Sequence, residues 1–291
     1  MSKFFKGLYT ALITPFKYGE IDFQSFEKIL QYQLDSKVDG IIIAGSTGEV
    51  STLRDSEFEA LLTSARSIID SKTQMIAGIS ANIPQNALKK SEIAQKIGVD
   101  GIMCVMPYYN KPPQRGLVRY FKEIHENTDL PIMLYSVPSR TGIDFADESI
   151  IELANLPRIR GLKDSANDIE RPIRLLNKLP DSFSLLSGED TTCLAYSAHG
   201  GVGCVSVIAN IFPKICKEIQ DFLSKRDFSS AMSLQSKMMP LYKAIFVETN
   251  PVPIKFAANI LDLCREEVRA PLFPMEDITL KEKIIQEIRN V

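Results

Sequence analysis

Apolar runs alternate regularly with amphipathic segments along the first 225 residues of the chain. Eight of these runs are short, rich in aliphatic residues and bounded by turn residues, which predicts eight β-strands. The predicted strands are Leu8–Pro15, Gly40–Gly45, Thr73–Ser80, Gly101–Pro107, Pro131–Pro138, Ile159–Asp164, Phe183–Gly188 and Gly203–Val207. Seven helical segments lie between them, among them Phe23–Asp35 and Asp55–Asp70, and Pro213–Leu223 follows the eighth strand.

The strand runs are continuously apolar, as in Ile41-Ile42-Ile43, which is typical of a parallel sheet covered by helices. Eight uninterrupted strand–helix units predict an α/β fold of the (β/α)8 TIM barrel type over residues 1–225. An open, doubly wound sheet is the alternative, but it does not explain eight even repeats. Residues 226–291 show no strand pattern and predict a C-terminal helical appendage with helices at Phe228–Phe246, Val252–Leu261 and Thr279–Asn290.

Composition excludes several classes of function. The 291 residues carry 34 Lys+Arg against 36 Asp+Glu, so there is no basic excess to suggest a nucleic-acid partner. The apolar stretch Gly7–Phe16 is too short to span a membrane. Five cysteines without a Cys-x-x-Cys spacing favour a reducing cytoplasm and no metal site, and His125 and His199 are expected at the surface or in loops.

A lysine stands near the end of the sixth predicted strand, at Lys163. Active sites of (β/α)8 barrels lie at the carboxyl ends of the strands. A buried ammonium is costly unless it is paired or neutralised, and a neutral amine can attack a carbonyl to form a Schiff base. Lys163 is therefore a candidate Schiff-base residue; the alternative is a lysine that faces outward or pairs with an Asp.

The fifth predicted strand and its following loop supply Tyr135 and Arg140. Neighbouring parallel strands lie about 5 Å apart, so Tyr135 is expected close to Lys163, where a phenol can transfer protons. Arg140 is a suitable partner for a substrate carboxylate. The alternatives are a tyrosine that only packs and an arginine in a surface salt bridge.

Two more loops bring polar groups to the same rim of the barrel. Gly45-Ser46-Thr47-Gly48-Glu49 offers backbone N–H groups and two hydroxyls, which suit a small carboxylate. This loop lacks the Gly-Lys-Ser/Thr ending of a phosphate-binding loop. Pro107-Tyr108-Tyr109-Asn110-Lys111-Pro112 adds two phenols, whereas Gly200-Gly201-Val202-Gly203 precedes its strand and is not interpreted as a dinucleotide-binding loop.

Taken in order, these segments resemble the pyruvate-dependent class I aldolases, the family typified by dihydrodipicolinate synthase and N-acetylneuraminate lyase. The resemblance covers nearly the whole chain. It is carried by residues 45–49, Tyr135-x-Val137-Pro138-x-Arg140-Thr141, Gly161-Leu162-Lys163-Asp164 and Gly188-Glu189-Asp190. The segments at residues 107–112 and 246–255 favour the dihydrodipicolinate synthase branch of the family.

The resemblance implies a set of catalytic roles. Lys163 would form an imine with pyruvate, and Tyr135 would act as general acid and base. Ser46 and Tyr109 would complete a proton relay with Tyr135, with the neighbouring Tyr108 crossing a subunit interface. No metal or organic cofactor is implied, because the protonated imine is itself the electron sink.

The resemblance also implies how the substrates are bound. Thr47 and nearby backbone N–H groups would hold the pyruvate carboxylate, and Val205 would line the pyruvate pocket. Arg140 would bind the carboxylate of L-aspartate 4-semialdehyde, the second substrate in lysine and diaminopimelate biosynthesis. Members of the family are commonly homotetramers built as dimers of dimers, so the same assembly is expected here.

Other functions are compatible with the sequence. An N-acetylneuraminate lyase or 2-keto-3-deoxy sugar acid aldolase would use the same Schiff-base chemistry, and serine at the position of Ser46 is usual in the neuraminate lyases. A non-catalytic barrel that binds a keto acid would be expected to lack the lysine or the tyrosine. A phosphate-binding barrel is disfavoured because no Gly-rich loop follows the seventh strand with the expected spacing.

The position of the family's feedback site predicts a regulatory difference. Lysine-sensitive members often have two histidines and a glutamate there, whereas this chain has Asp55, Phe58 and Asn86. Asn82 and Tyr108 are retained. We therefore expect weak or absent inhibition by lysine.

Overall fold

Eight parallel strands form a closed barrel in the computed structural model, which describes residues 3–291. Each strand pairs with the next along the chain, and the eighth pairs with the first. The strands are Gly7–Ala11, Gly40–Ile43, Gln74–Gly78, Gly101–Val105, Ile132–Ser136, Ile159–Asp164, Ser184–Ser187 and Gly203–Ser206. The predicted (β/α)8 architecture is therefore confirmed.

Helices connect successive strands and cover the barrel. They are Phe23–Asp35, Asp55–Ile68, Pro84–Ile97, Gln114–Glu126, Pro138–Thr141 with Asp147–Ala154, Arg171–Leu175, Cys193–Ala198 and Pro213–Ser224. Helix Phe23–Asp35 begins where its sequence provides a cap, since the Asp22 carboxylate accepts a hydrogen bond from the Ser25 backbone N–H. Among residues 3–291, no helix is both long and apolar enough to cross a membrane.

Two sets of apolar side chains pack on opposite sides of the strands, as the alternation of side chains along a strand requires. The interior set contains Phe5, Tyr9, Ala11, Ile42, Ile76, Met103, Val105, Met133, Tyr135, Val137, Leu186 and Val205. The larger set lies between the strands and the helices. Tyr135 and Val205, two of the predicted site residues, thus belong to the interior of the barrel.

The C-terminal residues form helices Phe228–Ile245, Val252–Ile260 and Ile278–Arg289, as the sequence predicted to within one residue at each end. Buried residues of this region, such as Met238 and Ile254, belong to the same apolar cluster as the helix-facing side of the barrel. The helical appendage is therefore packed directly on the barrel, while its separation as a second unit at residue 226 stays a prediction.

Candidate active site

Lys163 and Tyr135 lie at the carboxyl ends of adjacent strands and are direct partners in the strand register. Each side chain is 5% exposed, so both are largely shielded from water. The Lys163 Nζ lies 4.2 Å from the centroid of the Tyr135 ring. The structure therefore brings these two predicted residues together in one buried pair.

The loop after the second strand carries Ser46, which is half-buried, and Thr47, which is 3% exposed. Among residues 3–291, the backbone N–H groups of Ser46 and Thr47 find no backbone acceptor. A Cβ at Gly48 would lie 3.0 Å from the Leu12 backbone oxygen, which explains why a residue without a side chain stands at this turn. The turn is suited to binding an anion through N–H and hydroxyl donors.

Asn250, from the C-terminal region, connects two of the predicted binding residues. Its Nδ2 donates a hydrogen bond to Thr47 Oγ1 over 2.9 Å. Its backbone carbonyl accepts a hydrogen bond from Arg140 Nη2, also over 2.9 Å. Sequence reasoning missed this residue, because nothing in the local pattern around Asn250 indicates a contact with Thr47, 203 positions away.

A buried ion pair fixes the other end of the same loop. The Lys255 Nζ lies 2.5 Å from Glu49 Oε1 and donates a second hydrogen bond to the Glu267 carbonyl over 2.8 Å. Lys255 is fully buried, and Glu49 is 3% exposed. Burial lowers the pKa of Lys255, while the Glu49 carboxylate opposes that shift. Glu49 Oε2 also accepts a hydrogen bond from the Arg269 backbone N–H, so the C-terminal region holds the loop at several points.

A polar network lies behind the Tyr135–Lys163 pair, on the helix-facing side of the strands. Ser136 and Asp164 follow those residues and are likewise partners in the register. Arg171 Nη1 donates to Asp164 Oδ1 over 2.9 Å, and Arg171 also bonds Asp144, which accepts a hydrogen bond from Ser136 Oγ. Burial raises the pKa of Asp164, and the Arg171 charge works against this rise. This network ties the ends of the fifth and sixth strands together.

Further carboxyl groups stand on the loop after the seventh strand. Burial raises the pKa of Glu189, whereas Ser165 and the Lys163 charge lower it. Asp190 is 4% exposed, and its carboxylate accepts hydrogen bonds from Ser206 Oγ and the Val207 backbone N–H. Among residues 3–291, no group of three or more His, Cys, Asp or Glu side chains is arranged to hold a metal ion.

Val205 is fully buried on the eighth strand and lines the barrel interior with Tyr135. Arg140 is exposed on the short helix after the fifth strand. Tyr109 differs from the other predicted residues, because its side chain is 86% exposed and its backbone has a φ of 70°. Within one chain, the structure therefore does not bring Tyr109 to the buried Tyr135.

Two cavities lie away from the Tyr135–Lys163 pair. One of about 730 Å³ opens at the amino ends of the strands, beside Gly7 and Val202, and contains none of the predicted site residues. The other, of about 470 Å³, is bordered by Asn82, Tyr108 and Lys90. The second cavity occupies the position at which the sequence predicted an altered feedback site.

Comparisons with known proteins identify the family of this chain. The model of the dihydrodipicolinate synthetase family matches residues 4–288. A 4-hydroxy-tetrahydrodipicolinate synthase of Rickettsia bellii (strain RML369-C) is 47% identical over 288 residues, covering 99% of this chain and 97% of that protein.

Solved structures of the same family superpose on the whole fold. The dihydrodipicolinate synthase of Thermotoga maritima is 36% identical, with a TM-score of 0.95 and coverage of 98% of each chain. The Acinetobacter baumannii enzyme, solved in complex with pyruvate, is 33% identical with a TM-score of 0.95 and coverage of 98% of each chain. The chain therefore belongs to the dihydrodipicolinate synthetase family.

Proposed function

We propose that this protein condenses pyruvate with L-aspartate 4-semialdehyde to give 4-hydroxy-tetrahydrodipicolinate, using Lys163 as the imine-forming residue. The observation that carries the proposal is the buried pair of Lys163 Nζ and the Tyr135 ring, 4.2 Å apart at the carboxyl ends of the barrel strands. Family membership over nearly the whole chain supports the choice of substrates.

In the first half of the reaction, the Lys163 amine attacks the keto carbon of pyruvate, and water leaves as the imine forms. Tyr135 is placed to transfer the protons that these steps require. Loss of a proton from the pyruvate methyl group then gives an enamine, with the electrons drawn toward the protonated imine nitrogen. No metal or organic cofactor enters this scheme.

In the second half, the enamine carbon attacks the aldehyde carbon of the semialdehyde, and the new alkoxide takes up a proton. The amino group of the former semialdehyde then attacks the imine carbon, which closes the ring and releases Lys163. We assign the pyruvate carboxylate to Thr47 and the adjacent backbone N–H groups, and the carboxylate of the second substrate to Arg140. Val205 forms part of the apolar wall beside pyruvate.

We propose a homotetramer, built as a dimer of dimers, as the functional form. The sequence predicted Tyr108 as the tyrosine that crosses the interface, but Tyr109 is the more exposed of the two, at 86% against 39%. We therefore propose that Tyr109 of the partner subunit, rather than Tyr108, crosses the interface and completes the proton relay of Ser46 and Tyr135. Ile173 and Leu176 are 56% and 57% exposed and offer apolar surface for a second contact. Five free, buried cysteines fit a reducing cytoplasm, which is the compartment we propose.

Borohydride trapping tests the central step. Reduction in the presence of pyruvate, followed by peptide mass spectrometry, is expected to show a pyruvyl adduct on Lys163 and none without pyruvate. Lys163→Arg is the matched control, because it keeps the charge but cannot form the imine. Absence of an adduct on the folded wild-type protein would refute the proposed chemistry.

A second assay distinguishes the proposed aldehyde from the sugar-acid alternatives. The protein is expected to consume pyruvate with aspartate semialdehyde and to leave N-acetylneuraminate uncleaved in the retro-aldol direction. Release of pyruvate from N-acetylneuraminate at a comparable rate would reassign the second substrate and leave the Schiff-base step intact.

A further inference from the structure

Asn250 joins the loop after the second strand to the helix after the fifth, through its contacts with Thr47 and Arg140. Resting on the function proposed above, we propose that Asn250 is a positioning residue that directs the Thr47 hydroxyl proton toward the pyruvate carboxylate. Asn250 would thereby set the affinity for pyruvate without itself touching the reacting atoms.

The hydrogen-bonding capacity of the hydroxyl gives the chemical reason. A threonine hydroxyl has one proton to donate and two lone pairs that accept. Because Asn250 Nδ2 donates to Thr47 Oγ1, the contact uses a lone pair and leaves the hydroxyl proton for another acceptor. A carboxylate accepts only, so it matches this proton and the free backbone N–H groups of Ser46 and Thr47.

The side-chain oxygen of Asn250 supports a role in the site rather than in folding alone. Asn250 is 8% exposed, and its Oδ1 is buried without a hydrogen-bond partner among residues 3–291. A buried acceptor left unpaired is destabilising. An amide kept only for stability would be expected to use both of its ends, whereas Asn250 uses its donor end at a predicted binding residue.

The contact with Arg140 makes a further distinction possible. It uses the Asn250 backbone carbonyl, which every substitution of the side chain retains. Side-chain variants therefore disturb Thr47 and leave the anchor of Arg140 in place. The proposal predicts a loss of affinity for pyruvate that is larger than any loss for aspartate semialdehyde.

The test measures how borohydride trapping on Lys163 depends on pyruvate concentration, together with KM for each substrate and kcat. Asn250→Ala removes the donor, while Asn250→Asp keeps the shape but makes the side chain accept the Thr47 proton. We expect the half-saturating pyruvate concentration to rise about tenfold in the first variant and more in the second. The kcat at saturating pyruvate is expected to change much less.

Thr47→Val supplies the coupling test. In the Thr47→Val background, Asn250→Ala is expected to change the half-saturating pyruvate concentration little further, because the hydroxyl that Asn250 orients is already absent. Asn259→Asp is the matched control, since the Asn259 amide also donates in the C-terminal region, to the Cys264 carbonyl over 3.1 Å, and among residues 3–291 its side chain makes no hydrogen bond to a site residue. Thermal melting identifies any variant that fails to fold, and isosteric Asn250→Asp then replaces Asn250→Ala.

Two results separate this proposal from the function on which it rests. If the folded wild-type protein traps no pyruvate, both are overturned. If the wild type traps pyruvate and Asn250→Asp shows the same pyruvate dependence, or if Asn250→Ala has equal effects with and without Thr47→Val, only the role of Asn250 is refuted.

Discussion

Tyr135 and Lys163 are paired in register on adjacent strands, and the lysine Nζ lies over the face of the tyrosine ring at 4.2 Å from its centroid. An aromatic face attracts a cation, and the attraction is stronger where water is excluded. The ring is thus placed to stabilise positive charge at the lysine nitrogen, in the ammonium and in the protonated imine that we propose. To the phenol hydroxyl of Tyr135 we assign a different role, which is proton transfer.

Tyr135→Phe tests this separation of ring and hydroxyl. We expect kcat to fall by roughly 10²–10⁴, because a general acid–base group is lost. The pyruvyl adduct on Lys163 is still expected after long incubation, because the aromatic face remains. The measurements are steady-state rates and trapping yields over time.

Tyr32→Phe is the control. The Tyr32 hydroxyl donates a hydrogen bond to the Ile211 carbonyl over 3.0 Å, and we assign it no part in catalysis. It should retain nearly full activity. Equal activity of Tyr135→Phe and wild type would contradict the proposed proton transfer.

Breaking the buried Glu49–Lys255 pair is expected to destabilise the protein. Lys255→Met leaves the Glu49 carboxylate buried without its cation, which costs on the order of 3–5 kcal/mol. The double variant Glu49→Gln/Lys255→Met should lose less than the sum of the two single variants, because it leaves no unpaired charge. Urea unfolding measures these free energies.

Lys122→Met breaks an exposed pair with Glu152 and is the control, with an expected change of about 1 kcal/mol or less. A loss of that small size in Lys255→Met would show that the buried pair contributes little to stability.

Acid is expected to weaken the attachment of the C-terminal region through Glu57. Hydrogen bonds from Arg269, and then from Arg54, lower the pKa of Glu57 from 4.5 to about 2. A lowered pKa stabilises the folded state above the unfolded value, and this stability is lost as the pH falls from about 4.5 to about 2. Glu57→Gln should therefore be less stable than wild type at pH 6 and should lose less stability on acidification.

Thermal melting from pH 6 to pH 3 measures the effect. Glu20→Gln removes the exposed carboxylate that pairs with Arg54 and is the control. Parallel melting curves for wild type and Glu57→Gln across this range would contradict the assignment.

Free lysine is expected to inhibit the enzyme weakly or not at all. The cavity beside Tyr108 is lined by Lys89 and Lys90. Asp55, the carboxylate on this cavity, is already paired with Lys89 at 2.6 Å. A cationic ligand would thus meet positive charge without a free carboxylate.

Initial rates at increasing lysine concentration test this expectation at fixed ionic strength. Half-inhibition at sub-millimolar lysine would overturn it. Asn86→Glu places a carboxylate at this cavity, and we expect this variant to be inhibited at lower lysine concentrations than wild type.

The bounds of helices and strands were predicted most accurately where the hydrophobic pattern of the sequence matches the burial in the structure. The sixth strand, Ile159–Asp164, and the helix Phe23–Asp35 have the predicted bounds. The second strand was predicted to Gly45 but ends at Ile43, because Ala44 adopts a positive φ of 55° and begins the turn that carries Ser46 and Thr47. The expected surface position of His125 was wrong: it is 8% exposed, because its helix buries that face.

The site was predictable only in part. Lys163 and Tyr135 follow from the strand order, since parallel neighbours place successive strand ends side by side. Asn250 does not, because its partner Thr47 is brought near by packing of the C-terminal region. In the assembly that we propose, the position of Tyr109 relative to Tyr135 depends on contacts between subunits, which no strand pattern encodes.

The attachment of the loop after the second strand to the C-terminal region has a consequence for how the enzyme is made. The eighth strand ends at Ser206, so a ribosome has delivered every barrel strand before it adds Asn250, Lys255 and Arg269. A nascent chain at that stage holds all eight strands but still lacks the groups that bond Thr47 and Glu49. On the proposed role of Thr47, chains that stop before Asn250 are expected to bind pyruvate poorly.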